Sequence, residues 1–181
     1  MKILKGCLSV FLIFVLIIST IISIFFYKKS KAHQLQYDKV NIVLMQYENK
    51  MKERNAIVFR NYSEKDSIFI LAKKSDSILK IKKSLKELLW NEFYLSSKTY
   101  GNKNFEKIDE ELKYLNIDYN GLLNDYQLAF TIFPANLVKN ETHKRFDFFD
   151  VSYAGNNVEK MKKRKEVEHW VETGEWKAEK K

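Results

Sequence analysis

With 181 residues, one proline and five glycines, the chain has too few turn residues for an all-β or doubly wound α/β fold; 30% charged and 14% aromatic residues suit long helices with few connections. The net charge of +9 is spread among interleaved acids and bases, with local excess only beside an N-terminal apolar run and near Lys160 to Lys165, so nucleic acid is not an expected partner. The single cysteine, Cys7, excludes an intramolecular disulfide and any cysteine-rich metal site.

Residues 1–29 read as a membrane anchor. Cys7 to Phe26 is twenty residues without a charge, about 30 Å as a helix, which matches bilayer hydrocarbon. Fifteen of the twenty are Leu, Ile, Val or Phe, and at roughly −0.4 kcal/mol each they favour insertion by about 6 kcal/mol. Tyr27 and then Lys28, Lys29 and Lys31 sit where an interfacial aromatic and snorkelling cations belong. A cleaved signal peptide fits less well, because the apolar run is long and no small-x-small pair precedes the basic cluster. Cys7 precedes the run, whereas a lipid-modified cysteine should follow it. Four lysines on the C-terminal side (Lys28, Lys29, Lys31, Lys39) against Lys2 and Lys5 predict a short external N-terminus and a cytoplasmic remainder.

Residues 30–151 read as an antiparallel bundle of three long helices, so the fold class is all-α with a transmembrane helix at its head. The first seam is Tyr37, Val40, Leu44, Tyr47, Met51 and Val58, broken by Arg54, on a helix leaving the membrane without interruption. A turn is expected near Asn61 to Ser63, with Ser63 as N-cap and Glu64 and Asp66 in the first turn. The next helix is predicted from about Glu64 to about Leu95, with a broad apolar stripe through Ile68, Leu71, Ala72, Ile78, Leu79, Ile81, Leu85, Leu88, Leu89 and Phe93. Tyr100 to Asn104, with Gly101, is the clearest turn. The most regular seam follows: Phe105, Ile108, Leu112, Leu115, Tyr119, Leu122, Tyr126, Ala129 and Phe133, about 43 Å of helix that stops at Pro134.

After Pro134 the helical seam is lost, and Ala135 to Val151 reads as an irregular aromatic segment folded back on the bundle. Residues 152–181 form a charged tail, helical in part, with Val158, Met161, Val167, Trp170 and Val171 as its apolar positions.

Tyr119-Asn120, Tyr126, the run Phe133-Pro134-Ala135-Asn136-Leu137-Val138 and the run Phe146-Asp147-Phe148-Phe149-Asp150-Val151 together resemble the C-terminal signature of the LemA family. That signature is a YN step on a long helix, an FP-x-N-L run that ends it and an aromatic pair shortly after. Arg54-Asn55-Ala56-Ile57-Val58 stands where the family has an L-I-P-N-L-V run, without the proline. The resemblance covers roughly residues 1–151. It implies a membrane-anchored helical bundle with a short external N-terminus and no established enzymatic activity.

No residue set suggests catalysis. His33, His143 and His169 lack a second ligand at helical spacing, so no metal is expected. Asp109, Glu110 and Glu111 are expected to face solvent in the first turns of their helix, and no phosphate loop or nucleophilic arrangement stands out. The expectation is a non-enzymatic scaffold or interaction protein at the cell membrane, without a cofactor, embedded through residues 7–26. Its candidate interaction surface is Phe133, Pro134, Asn136, Phe146, Phe148 and Phe149, crowded where the long seam ends. Its protein partner is unidentified, and self-association stays open. Alternatives are an envelope-facing adhesin or antigen, or an accessory factor of a membrane protease or envelope machinery.

Overall fold

A computed structural model describes residues 2–81, 85–131, 146, 148–153, 155 and 157–174, and these form an all-helical protein with no strand among the described residues. Five helices follow in order: α1 (Lys2–Asn61), α2 (Ser67–Ile81), α3 (Leu85–Thr99), α4 (Glu106–Thr131) and α5 (Val158–Thr173). The sixty residues of α1 contain Gly6 as their only glycine and no proline, so nothing in the sequence interrupts the backbone ladder. Its N-terminal part is long and apolar enough to cross a membrane, and the described side chains there are exposed except for half-buried Phe26. Two hydroxyls within this run are satisfied by their own helix: Thr20 Oγ1 donates to the Leu16 carbonyl and Ser23 Oγ to the Ser19 carbonyl, both at 2.8 Å.

The packing gathers into two compact units. The first comprises Met1–Asn41 and Leu122–Arg145. Here Tyr37 of α1 meets Tyr126 of α4 at 6.2 Å between ring centroids, and Val40 and Leu123 are wholly buried.

The second comprises Ile42–Gly121 and Phe146–Lys181. One cluster in its core is Val58, Ile68, Ala72, Leu95, Phe105 and Ile108, which draws on α1 to α3 and the start of α4. Tyr62 stacks on Phe105 at 6.2 Å and accepts a hydrogen bond from Asn102 Nδ2. The connection after α1 falls where the sequence places it, but Ser63 does not cap the helix. Ser63 N–H donates to Asp66 Oδ2 and Asp66 N–H to the Ser63 carbonyl, closing a turn before α2 starts at Ser67. Gly101 adopts φ 76° between α3 and α4, a conformation glycine takes without a Cβ clash.

Two departures from the sequence expectation concern these helices. The helix predicted from Glu64 to Leu95 is two helices, α2 and α3, packed on each other. On one continuous helix Ser75 and Glu92 would stand about 25 Å apart, whereas Ser75 Oγ donates to Glu92 Oε1 at 2.9 Å. The apolar stripe is too broad for one helix because it combines the inner faces of two.

Secondly, the seam of α4 drifts. Phe105, Ile108, Leu112, Tyr119 and Tyr126 are buried as expected, but Leu115, Leu122 and Ala129 are only half-buried, while Asn116 and Leu123 lie deeper. A three-four spacing averages 3.5 residues per turn and a straight helix turns every 3.6, so the buried face drifts and takes Asn116 and Leu123 in place of Leu115 and Leu122 while Tyr119 and Tyr126 stay on it. Truncating wholly buried Leu112 to alanine should cost about 2 to 5 kcal/mol, and truncating exposed Ile117 less than about 0.5. Urea melts of the two variants check the packing, and equal losses would contradict it.

Candidate functional site

The second unit is assembled around a buried ion pair. Arg54 of α1 and Glu92 of α3 are both wholly buried, with Nη2 at 2.8 Å from Oε1. Glu92 also accepts from Ser75 Oγ at 2.9 Å and from Tyr153 OH at 3.2 Å. Because Tyr153 gives its proton to Glu92, its oxygen receives the Tyr47 hydroxyl at 2.6 Å, and the order of donation runs from Tyr47 to Tyr153 to Glu92. The Arg54 guanidinium also lies 5.9 Å from the centre of the Tyr153 ring. Neighbouring Asn55 ties α1 to α2, its Nδ2 donating to Asp76 Oδ1 at 2.7 Å.

Burial alone would disfavour the charge on Arg54, but the carboxylate of Glu92 outweighs it and holds the guanidinium more firmly protonated than usual. Burial pushes both phenols of Tyr47 and Tyr153 well above the ordinary tyrosine range, and the Glu92 carboxylate adds to this. Both therefore remain hydrogen-bond donors at neutral pH. A closed cluster of this kind orients helices.

Asp109 stands at its edge. Only 6% exposed, it faces the field of Arg54, and Thr99 supplies a hydrogen bond, yet burial dominates and raises the carboxyl from 3.8 to about 6. Its Oδ1 has no hydrogen-bond partner among the described residues.

A strap formed by the residues after α4 closes the cluster. Asn120 of α4 grips the backbone of Phe149 at two points, Nδ2 donating to its carbonyl and Oδ1 accepting its N–H, both at 2.9 Å. Four residues earlier, Asn116 Nδ2 donates to the Val151 carbonyl at 2.6 Å. The Phe149 ring then meets Tyr47 edge-on at 5.3 Å, and Tyr153 reaches the buried carboxylate. Asn157 anchors the far end: wholly buried, it donates to Ser96 Oγ at 2.7 Å and holds both the N–H and the carbonyl of Ser152. α5 follows without a buried residue and ends at Gly174, whose N–H caps the Trp170 carbonyl.

Of the residues the sequence puts forward, Phe133, Pro134 and Asn136 lie outside the described residues. Phe146 and Phe149 are 8% and 1% exposed and belong to the core, while Phe148 is 42% exposed and presents its ring to solvent. The polar cluster is absent from the sequence reading. As a charge Arg54 breaks the apolar seam, yet its spacing of three from Met51 and four to Val58 keeps it on the same face. Asp109, expected at the surface, is buried beside it. Comparison of the chain with known protein families, curated proteins and solved structures yields no match.

Arg54→Met or Glu92→Met alone should each cost about 3 to 5 kcal/mol, because a buried charge loses its partner, whereas the double variant should recover most of the loss. A urea-melt cycle measures this, and additive losses would show that the pair is not coupled. Asp109 has the opposite character. Its folded pKa lies above the unfolded value, so its contribution to stability is fully present below about pH 4 and is lost as pH rises through about 6. The shift corresponds to about 3 kcal/mol. Asp109→Asn should therefore stabilise the protein by up to about this amount at pH 7.5 and change little at pH 4; melts at the two pH values that show no difference would contradict the burial of this charge.

Proposed function

We propose that this chain is a single-pass membrane protein of the LemA type, in which a helical bundle serves as a non-enzymatic scaffold or interaction module at the cell membrane. The observation that carries the reading is the composition of α1 along its length. One uninterrupted helix carries near its start a charge-free apolar stretch whose described side chains are exposed except for half-buried Phe26, and ends with Tyr47, Met51, Arg54 and Val58 buried among other helices. A bilayer would cover the first stretch, since an exposed apolar surface of this size has no stable place in water. The back-bonded hydroxyls of Thr20 and Ser23 reduce the cost of placing those residues in lipid.

Exposed Phe148 on a strap fixed at Phe149 and Val151 is the partner contact in this reading, a rigid aromatic whose immobilisation on binding costs little entropy. The lysine bias around the anchor supports a short external N-terminus and a cytoplasmic bundle. The test is protease treatment of wall-stripped cells followed by alkaline extraction of their membranes. The chain should remain in the membrane fraction with residues 30–181 uncut, and a variant lacking residues 1–29 should move to the soluble fraction. Cleavage before lysis would place the bundle outside, and retention of the truncated variant in the membrane would remove the anchor role.

A further inference from the structure

α4 carries a second seam on the side of the helix away from the core. Tyr114 and Ile117 are 58% and 57% exposed, and Lys113, Asp118 and Gly121 are exposed with them. At about 100° per residue, Tyr114, Ile117 and Gly121 fall within about 60° of one another and nearly opposite the buried Phe105, Leu112, Asn116 and Tyr119. Their three-four spacing is that of the a, d and a positions of a coiled coil, which puts Lys113 at g and Asp118 at e, on the two flanks. The single chain does not call for a glycine at 121. In the interior of α4 it weakens the helix relative to alanine, and a Cβ there would meet nothing within 4 Å. A bare backbone at the centre of an exposed apolar face does let a second helix come close.

The flanking charges select the partner and its direction. When two copies of α4 run the same way, each g residue lies beside the e residue of the following heptad across the contact, so Lys113 meets Asp118 of the second copy, twice by symmetry. When they run opposite ways, e faces e, and Asp118 meets Asp118 or Glu111 of the second copy. In the parallel arrangement the preceding heptad brings Glu106 toward Glu111, whose charge Lys50 already balances at 2.6 Å. We propose that this face of α4 joins two copies of the chain side by side and parallel, with Tyr114, Ile117 and Gly121 at the contact and Lys113 paired to Asp118 of the second copy on each flank. The contact runs only about 10 Å along the helix, so it suits chains concentrated in one bilayer. Two anchors in that bilayer, on the membrane reading above, would impose the same direction; the charges of α4 argue for it independently.

The test is sedimentation equilibrium of the full chain in density-matched detergent micelles, where a monomer–dimer equilibrium is expected. Ile117→Glu should weaken the dimer at least tenfold, and Ile70→Glu, at an isoleucine of α2 with the same 57% exposure, less than twofold. Lys113→Glu and Asp118→Lys should each weaken it about fivefold by turning two attractive pairs repulsive. The two changes combined should restore the dimer, since the exchange preserves both pairs only across a parallel contact. Melting curves establish that each variant is folded. A chain that stays monomeric, native dimerisation in Ile117→Glu, or no recovery in the exchanged variant would overturn the proposal. Alkaline extraction reports the anchor separately: a monomer retained in the membrane removes the dimer alone, and a dimer released from the membrane removes the anchor alone.

Discussion

The interaction on which the second unit depends is the Arg54–Glu92 pair. Both side chains are wholly removed from water, and each alone would be a severe liability there. Together they permit burial only in one geometry, because Glu92 must also receive Ser75 from α2 and Tyr153 from the strap. The apolar contacts around Val58, Ala72 and Leu95 supply non-directional attraction and would tolerate sliding by a turn. A one-turn slip of α3 would move Glu92 by about 5 Å and strand Arg54 without a counter-ion. The ion pair therefore fixes register among four segments, while the hydrophobic seams supply most of the cohesion.

Those seams were legible in the sequence and the ion pair was not, for reasons that lie in the residues. Val40, Tyr47, Met51 and Val58 announce a buried face because apolar side chains recur at helical spacing, and each of them is buried. The α3 to α4 turn was equally plain, since Gly101 and its polar neighbours have few other uses there. The reversal between α2 and α3 leaves no such mark: Ile81 to Leu85 contains neither glycine nor proline, and periodicity alone cannot tell a long helix from two that fold back in phase. A lone arginine in a seam reads as a break until its partner is known, and Glu92 lies thirty-eight residues away, beyond that unmarked reversal.

Asn120 shows how a short sequence feature acquires a physical meaning. In the sequence it is half of a tyrosine-asparagine step on a long helix. In the fold the two residues act in complement, Tyr119 on the bundle and Asn120 on the strap. Tyr119 is buried with its ring stacked 6.4 Å from Tyr47, and Asn120, one residue round the helix, turns its amide to the extended chain. An amide is suited to this position because it both donates and accepts, and so replaces the two hydrogen bonds a neighbouring strand would give to an extended backbone. Aspartate could accept the Phe149 N–H but would oppose its carbonyl, leaving a buried acceptor unpaired.

The exposure of Phe148 follows from that clamp. With Phe149 held by Asn120 and Val151 by Asn116, the intervening chain is drawn along α4, and its side chains alternate: Phe149, Val151 and Tyr153 are buried while Phe148 and Asp150 are exposed. Turning Phe148 inward would require a shift of register by one residue. That shift would expose Phe149 and Val151 and withdraw the Tyr153 hydroxyl from Glu92, reopening the shell around the buried carboxylate. An exposed phenylalanine on a mobile loop could fold away from water at little cost. Here it cannot, because the same hydrogen bonds that complete the ionic core keep the ring at the surface, so the persistence of this exposed aromatic ring is a consequence of the core's electrostatics.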